Sequence, residues 1–371
     1  MAKNKVCIVS LAAYPLLARN GLDIKIVGGA ELQCVLLARE LAKGDFDVSF
    51  VVCDFGQPAK EIIDNIRVVK AYPIDAPPGI RFSTLRLVWS ALEEADAQIY
   101  YGFRGIAGIV ALYCFLKRKQ LVIGIPHDMD VQSKPIMKRN VYDWLWRFDV
   151  KRSNTIIAQT DYQHDMMRKN FGRNSVIIKA FHPIENAAIN KDTPPVVMWA
   201  ARIGPEWKQP EVFLQLARAI PQGKFWMIGG ASEGDSLYER IEAQARDISN
   251  LEFIGFVPHD KIGQYFERSS IFVNTSTAEG FPNTFLEAWS RYTPVVTLNV
   301  DPGEIICEHK LGIHSRTFER MVEDVKMLLH DDKLRQDLGQ NGRRYVEREH
   351  ALKEIVREYA ELFGELLKRK A

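Results

Sequence analysis

Short runs of β-branched, apolar residues alternate along this chain with longer amphipathic runs, and few architectures accommodate that rhythm. The first half carries "VCIVS", "VSFVV", "IRVVKAY", "AQIYYG", "QLVIGIP", "TIIAQT" and "SVIIKA"; the second carries "VVMWAA", "KFWMIGG", "LEFIGFV", "SIFVNTS" and "TPVVTLN". Most are continuously apolar and bounded by Gly, Pro or Asp, the pattern of strands buried on both faces. Helical periodicity fills many of the gaps. In "AELQCVLLARELAKG", Leu32, Val35, Leu36 and Leu41 form one face, and Gly44 is a stop. Strand–helix alternation predicts an α/β fold with parallel sheets.

At 371 residues the chain suits two domains. The break is expected in "HPIENAAINKDTPPVV", which is polar, Pro-rich and aperiodic. The spacing predicts a first Rossmann-like domain over 1–184 and a second over 190–352, with a long amphipathic helix at about 353–371. Open α/β sheets bind ligands beyond the carboxyl ends of their strands, so two facing sheets are expected to enclose a cleft.

The net charge of +2 gives no reason to expect a nucleic-acid partner. The five cysteines are scattered, without zinc or redox spacing, and fit a reducing compartment. No apolar run reaches the length of a spanning helix. The expectation is a cytoplasmic protein, at most peripheral to a membrane. The segment 134–152 interleaves Lys and Arg with Tyr142, Trp144, Trp146 and Phe148. That suits an anionic lipid surface, or else an amphipathic helix packing Trp144 and Phe148 inward.

Candidate chemistry collects at strand ends. "NTSTAEGFPNTFLEAW" places Glu279 in a loop and Glu287 one turn into a helix starting near Thr284. The helix start is an anion site. Carboxylates beside it make sense as ligands of vicinal hydroxyls, and a phosphate flanked by polyols is a nucleotide sugar. Two plainer readings stay open. Thr284 to Glu287 also has the form of a capping box, and Glu279 beside Gly280 that of a turn. Arg202 and Lys208, after the strand "VVMWAA", can neutralise a diphosphate or be solvated cations. Gly229 and Gly230 permit close backbone approach to a ligand. Gly28 and Gly29 open the first long helix without a dinucleotide fingerprint, which disfavours a dehydrogenase. His127 and Asp128 follow a strand end. The acid pair Asp128–Asp130 is not read as a metal site, because "DFD" at Asp45–Asp47 matches as well in an ordinary turn.

In order along the chain, these segments resemble the retaining GT-B glycosyltransferases of family 4. "EGFPNTFLEA" is similar to that family's E-x7-E motif and "ARIGPEWKQPEVFLQLA" to its Arg/Lys diphosphate segment. "VGGAE" and "PHD" are similar to its glycine loop and cleft histidine. The resemblance implies a nucleotide-sugar donor, a glycan or lipid-linked acceptor, no cofactor and no metal. It implies that Arg202 and Lys208 bind the diphosphate, Glu287 the ribose, and Glu279 the transferred sugar. Gly28, Gly29 and Gly230 would approach the donor, and Phe256 would lie near the base. The backbone of Phe281, Pro282, Asn283, Thr284 and Phe285 would line the site, and His127 would face the sugar. It also implies that the C-terminal helix returns to the first domain. The sequence departs from the pattern at Gln209, at Tyr292-Thr293 and at Pro282, where the family commonly has Gly. A GT-B epimerase or phosphorylase, or a non-catalytic nucleotide-sugar-binding protein, are the competing readings.

Overall fold

The computed structural model describes residues 3–18, 28–77, 79, 81–103, 108–132, 140–185, 190–204, 206–231 and 235–369. Contacts divide the chain into two units. One runs to Ala180 and takes up Lys353–Ala371; the other includes Phe181–Leu352.

Among its described residues the first unit has eight strands: β1 (Asn4–Val9), β2 (Phe46–Asp54), β3 (Lys60–Ile63), β4 (Ile66–Pro73), β5 (Ile99–Gly102), β6 (Gln120–Gly124), β7 (Thr155–Ala158) and β8 (Val176–Ile177). Their order is β3-β4-β2-β1-β5-β6-β7-β8, and only the β3–β4 pairing is antiparallel. β3 escaped the sequence reading because "KEII" is a half-exposed edge, with Ile62 76% exposed. β8 is shorter than expected from "SVIIKA".

Helix Gly29–Lys43 covers one face of the sheet and ends where the Gly44 N–H donates to the Leu41 carbonyl. Leu37, not Leu36, joins Leu32, Val35 and Leu41 in its buried set. The C-terminal helix Leu352–Lys368 packs into this unit through Tyr359, whose hydroxyl lies 3.3 Å from that of Tyr101, and through Phe363.

Helix Asn140–Arg152 corrects the inward-packing expectation for Trp144 and keeps it for Phe148, which is half-buried against the core. Trp146 is the buried tryptophan, and its indole N–H donates to the Asp130 carbonyl at 3.0 Å. Trp144 is 63% exposed and stacks on Phe148. Lys134, Lys138 and Arg139 lie outside the described residues.

Among its described residues the second unit has six parallel strands: β9 (Val196–Ala200), β10 (Lys224–Ile228), β11 (Leu251–Gly255), β12 (Ile271–Asn274), β13 (Val295–Thr297) and β14 (Gly312–His314). Their order is β11-β10-β9-β12-β13-β14. The chain builds outward from β9 to one edge, then returns to start the other half at β12. β9 and β12 are neighbours, with Val197 opposite Ile271, so their carboxyl ends form the switch point where open α/β sheets take ligands. Buried Trp199, Phe213, Phe225 and Val273 fill the layer between this sheet and its helices. The three-residue β14 was too short to read from the sequence.

Candidate functional site

Two loops meet at the β9/β12 switch point, and a single threonine joins them. Trp199 on β9 is buried and donates its indole N–H to Thr275 Oγ1 at 2.9 Å. The Thr275 hydroxyl in turn points at the carbonyls of Lys208 (2.7 Å) and Gln209 (3.0 Å). The Thr277 N–H donates to the Trp207 carbonyl. These bonds fasten the turn Glu206–Lys208 to the segment after β12. They set Lys208 Nζ 2.5 Å from Glu279 Oε1, with the side chains 21% and 10% exposed. The candidate diphosphate cation and the candidate sugar carboxylate are therefore ion-paired. The turn also needs a left-handed residue at Gln209, which has φ 47° and precedes helix Pro210–Ala219. That is where the sequence departs from glycine. Tyr292, the first residue of the second departure, has φ 58°. Both backbones keep the conformation that glycine would adopt without steric cost.

Glu287 is not a cap. Helix Asn283–Ser290 has Pro282 as its N-cap, so Thr284 is its second residue and no capping side chain bonds there. Glu287 is buried instead and is held through both oxygens. Oε1 lies 3.2 Å from His259 Nε2, while Oε2 lies 2.8 Å from Arg291 Nη1 and 3.7 Å from His182 Nε2. Burial alone would raise its pKa, but His182, His259 and Arg291 together hold it down to about 2. Burial pushes the pKa of His182 down. That imidazole is thus neutral near pH 7. Arg291 is anchored through its carbonyl, which accepts from half-buried Lys191 at 2.8 Å.

The remaining expected residues fall into place unevenly. Arg202 is exposed after β9. Gly229 serves strand packing, since a Cβ there would lie 2.3 Å from the Ala201 carbonyl oxygen. The Gly230 carbonyl accepts from the Ile203 N–H. Both glycines thus pack against the segment after β9, a structural reason for Gly229 that needs no ligand. Phe256 is half-buried after β11. Phe281 packs on His350, with ring centroids 4.7 Å apart, and Phe285 is a core residue against Phe272 and Trp289. Pro282, Asn283 and Thr284 form the helix start.

In the first unit the Gly28 N–H donates to Glu31 Oε2 at 3.0 Å, and Gly29 begins the helix. The Glu31 carboxylate thus sits where an anion would have to bind that amide. His127 Nδ1 accepts from the Met129 N–H at 3.1 Å, which leaves the ring proton on Nε2. Asp128 accepts from Gln163, and Asp128 and Asp130 are not part of any three-ligand group among the described residues.

Two family models divide the chain between them. "Glycosyltransferase Family 4" matches residues 27–181, and "Glycosyl transferases group 1" matches residues 182–345. The chain belongs to the group 1, family 4 glycosyltransferases. An uncharacterized glycosyltransferase of Haemophilus influenzae is 22% identical over 354 residues, which is 91% of this chain and 97% of that protein. Among solved structures, sucrose-phosphate synthase from Thermosynechococcus elongatus superposes with a TM-score of 0.83 at 16% identity, covering 99% of this chain and 100% of that one. Anabaena HepE in complex with UDP and glucose gives 0.76 at 17% identity, covering 98% and 100%. The fold is GT-B.

For this glycosyltransferase, sequence reasoning missed Trp199, Thr275, His182 and His259. It also passed over Arg291, although that residue lies four positions after Glu287, the spacing that brings helical side chains together.

Proposed function

We propose that the protein is a retaining, metal-independent glycosyltransferase that moves a sugar from a nucleotide-diphosphate sugar to a glycan or lipid-linked acceptor in the cytoplasm. The observation that carries this reading is the Lys208–Glu279 pair at the β9/β12 switch point. It sets a cation and a carboxylate side by side, where a leaving diphosphate and a sugar hydroxyl would each take one partner. Lys208 and exposed Arg202 offset charge on the leaving phosphate, helped by the start of helix Asn283–Ser290. Glu279, released from Lys208, accepts hydrogen bonds from the transferred sugar. Glu287 is pre-set by Arg291 and His259 to hold the ribose hydroxyls. His127 contributes a hydrogen-bond donor rather than a base, because its Nδ1 is already engaged.

In the proposed step the bond from the anomeric carbon to the phosphate oxygen breaks. The acceptor oxygen bonds to that carbon on the same face, and the acceptor's proton passes to the leaving phosphate. Glu279 is a poor nucleophile here because, once released from Lys208, its oxygens are committed to the sugar hydroxyls. The UDP in the HepE complex supports a nucleoside diphosphate as the leaving group.

A lipid-linked acceptor agrees with an exposed face of the first unit. Phe115 and Leu116 are 53% and 58% exposed, close in sequence to Lys117 and Arg118. The Arg152 guanidinium lies 4.1 Å above the Phe115 ring and 5.7 Å from that of Phe148, which stacks on exposed Trp144. Basic and aromatic side chains interleaved in this way suit an anionic membrane surface. Among the described residues no helix is long and apolar enough to cross a membrane.

NMR of the product linkage, with and without EDTA, tests the mechanism. The expected result is an α-linked product from an α-linked donor, formed equally well in chelator. An inverted product would end the retaining assignment, and chelator-sensitive activity restored by a divalent ion would end the metal-free one. Nucleotide sugar epimerised or phosphorolysed without transfer would favour the other GT-B chemistries. Donor binding without turnover on any acceptor would favour a binding protein. Co-sedimentation with anionic vesicles and not with neutral ones is the expected membrane result; failure with both removes it.

A further inference from the structure

Beyond β13 the chain makes a compact excursion that the proposed transfer chemistry does not use. Asp301 precedes the turn Pro302–Glu304. Gly303 and Glu304 both adopt left-handed conformations, with φ 69° and 60°, and reverse the chain into helix Ile305–Glu308, which carries Cys307. β14 then brings His314 alongside. A carboxylate, a thiol and an imidazole separated by five and six residues are thereby gathered. One ligand atom from each lies within 4.8 Å of the other two, and Asp301 Oδ2 is 3.8 Å from His314 Nδ1. Tetrahedral coordination at zinc–ligand distances implies ligand–ligand separations of roughly 3.3–3.8 Å. The carboxylate–imidazole edge is already at that spacing, and Cys307 needs only a side-chain adjustment.

A second observation points to a cation. The Asp301 side chain is 3% exposed. Its Oδ1 accepts from the Ile306 N–H at 2.9 Å, while Oδ2, sealed from solvent, makes no well-formed hydrogen bond, its carboxylate having only the Cys307 thiol and the His314 imidazole as close polar neighbours. A sealed carboxylate oxygen is costly to leave without a donor, and a bound cation supplies what it lacks. Among the described residues, this is the only group of three or more potential ligands so close together.

We infer that Asp301, Cys307 and His314 form a binding site for a divalent cation of the zinc type, with one coordination position left to water. The mixed sulfur, nitrogen and oxygen donor set favours such a borderline-soft ion over magnesium or calcium. Binding replaces the Cys307 S–H bond with a sulfur–metal bond and releases that proton to solvent. The ion ties helix Ile305–Glu308 to β14 and takes no part in sugar transfer.

The thiols allow a clean test that is independent of any transferase assay. Cys7, Cys34, Cys53 and Cys114 are buried, and Cys307 is exposed. A maleimide should therefore label the chelator-treated full chain once, at Cys307. One equivalent of Zn²⁺ should slow that labelling at least about tenfold, and one equivalent of Co²⁺ should give a thiolate-to-cobalt absorption band. Cys307→Ser should abolish the band. Asp301→Asn keeps an oxygen for the Ile306 N–H, and should weaken protection by more than the ~10–100-fold typical of losing a group behind a ligand. Labelling that Zn²⁺ does not slow, a band that survives Cys307→Ser, or equal protection in Asp301→Asn would each overturn the site.

Discussion

Arg291 Nη1 stands 2.8 Å from Glu287 Oε2, one turn on at the C-cap of the same short helix, and both side chains are almost closed to solvent. An ion pair in that setting is worth little as a gain over an apolar pair and much as a liability if broken. Glu287→Gln should therefore destabilise the fold by about 3 kcal/mol, the lower end for losing one partner of a buried pair. Glu267, 3.6 Å from Arg291, partly compensates. Denaturant melts measure this. A change below roughly 0.5 kcal/mol, the size of an ordinary surface substitution, would mean that Arg291 does not depend on Glu287.

The same carboxylate sets an acid limit. Its folded pKa of about 2 lies below the ordinary value of 4.5. Between those values the unfolded chain binds more protons, so stability rises with pH there. Glu287 thus contributes stability fully above about pH 5, losing it as pH falls through about 2, for a total on the order of 3 kcal/mol. Urea melts from pH 6 down to pH 3 should show this decline, and Glu287→Gln should flatten it. Parallel curves for the two proteins would show that the acid limit arises elsewhere.

Lys208→Ala should lower turnover about a hundredfold or more, the cost of losing one donor to developing charge. Glu279→Gln should also lower turnover, and the double variant should fall well short of the product of the two losses, because each residue is the other's partner. Single-turnover kinetics on the four proteins would measure the coupling. Strict multiplicativity would separate their roles.

Thr275→Val removes one hydroxyl and strands both the Trp199 indole N–H and the Lys208 carbonyl. The expected cost is about 1–3 kcal/mol in stability. Turnover should fall more than donor affinity, since a loosened Lys208 is missed most when charge develops. Thr275→Ser should restore both. A loss of stability with unchanged turnover would make Thr275 purely structural.

Gln209→Gly should raise stability by about 1 kcal/mol, because a side chain at a left-handed position costs roughly that much. A lower melting temperature would mean that the Gln209 side chain makes up for its backbone.

Much of this was legible. Apolar runs ended by polar or small residues located twelve of the strands, and Glu279 and Lys208 were placed at the ends of β12 and β9. β3 was not legible, because an exposed edge strand needs no apolar pattern. The capping-box pattern at Thr284 misled because the helix begins two residues earlier than it suggests, with Pro282 rather than Thr284 as N-cap, and Glu287 turns inward. His182, His259 and Lys191 come from separate elements, and no local spacing announces a contact that only the tertiary fold creates. Asp301, Cys307 and His314 escaped for a related reason: two successive left-handed residues fold their spacing back on itself.

The Lys208–Glu279 pair bears on how each catalytic cycle closes. On the proposed role of Lys208, a nucleoside diphosphate left there after transfer would compete with the carboxylate of Glu279, which the fold holds beside it. The chain carries its own displacing anion, so the lysine need never be stripped bare into solvent for product to depart. Such an internal counter-ion weakens donor and product together. On that proposal it favours rapid exchange over tight retention, and release of spent nucleotide over inhibition by it.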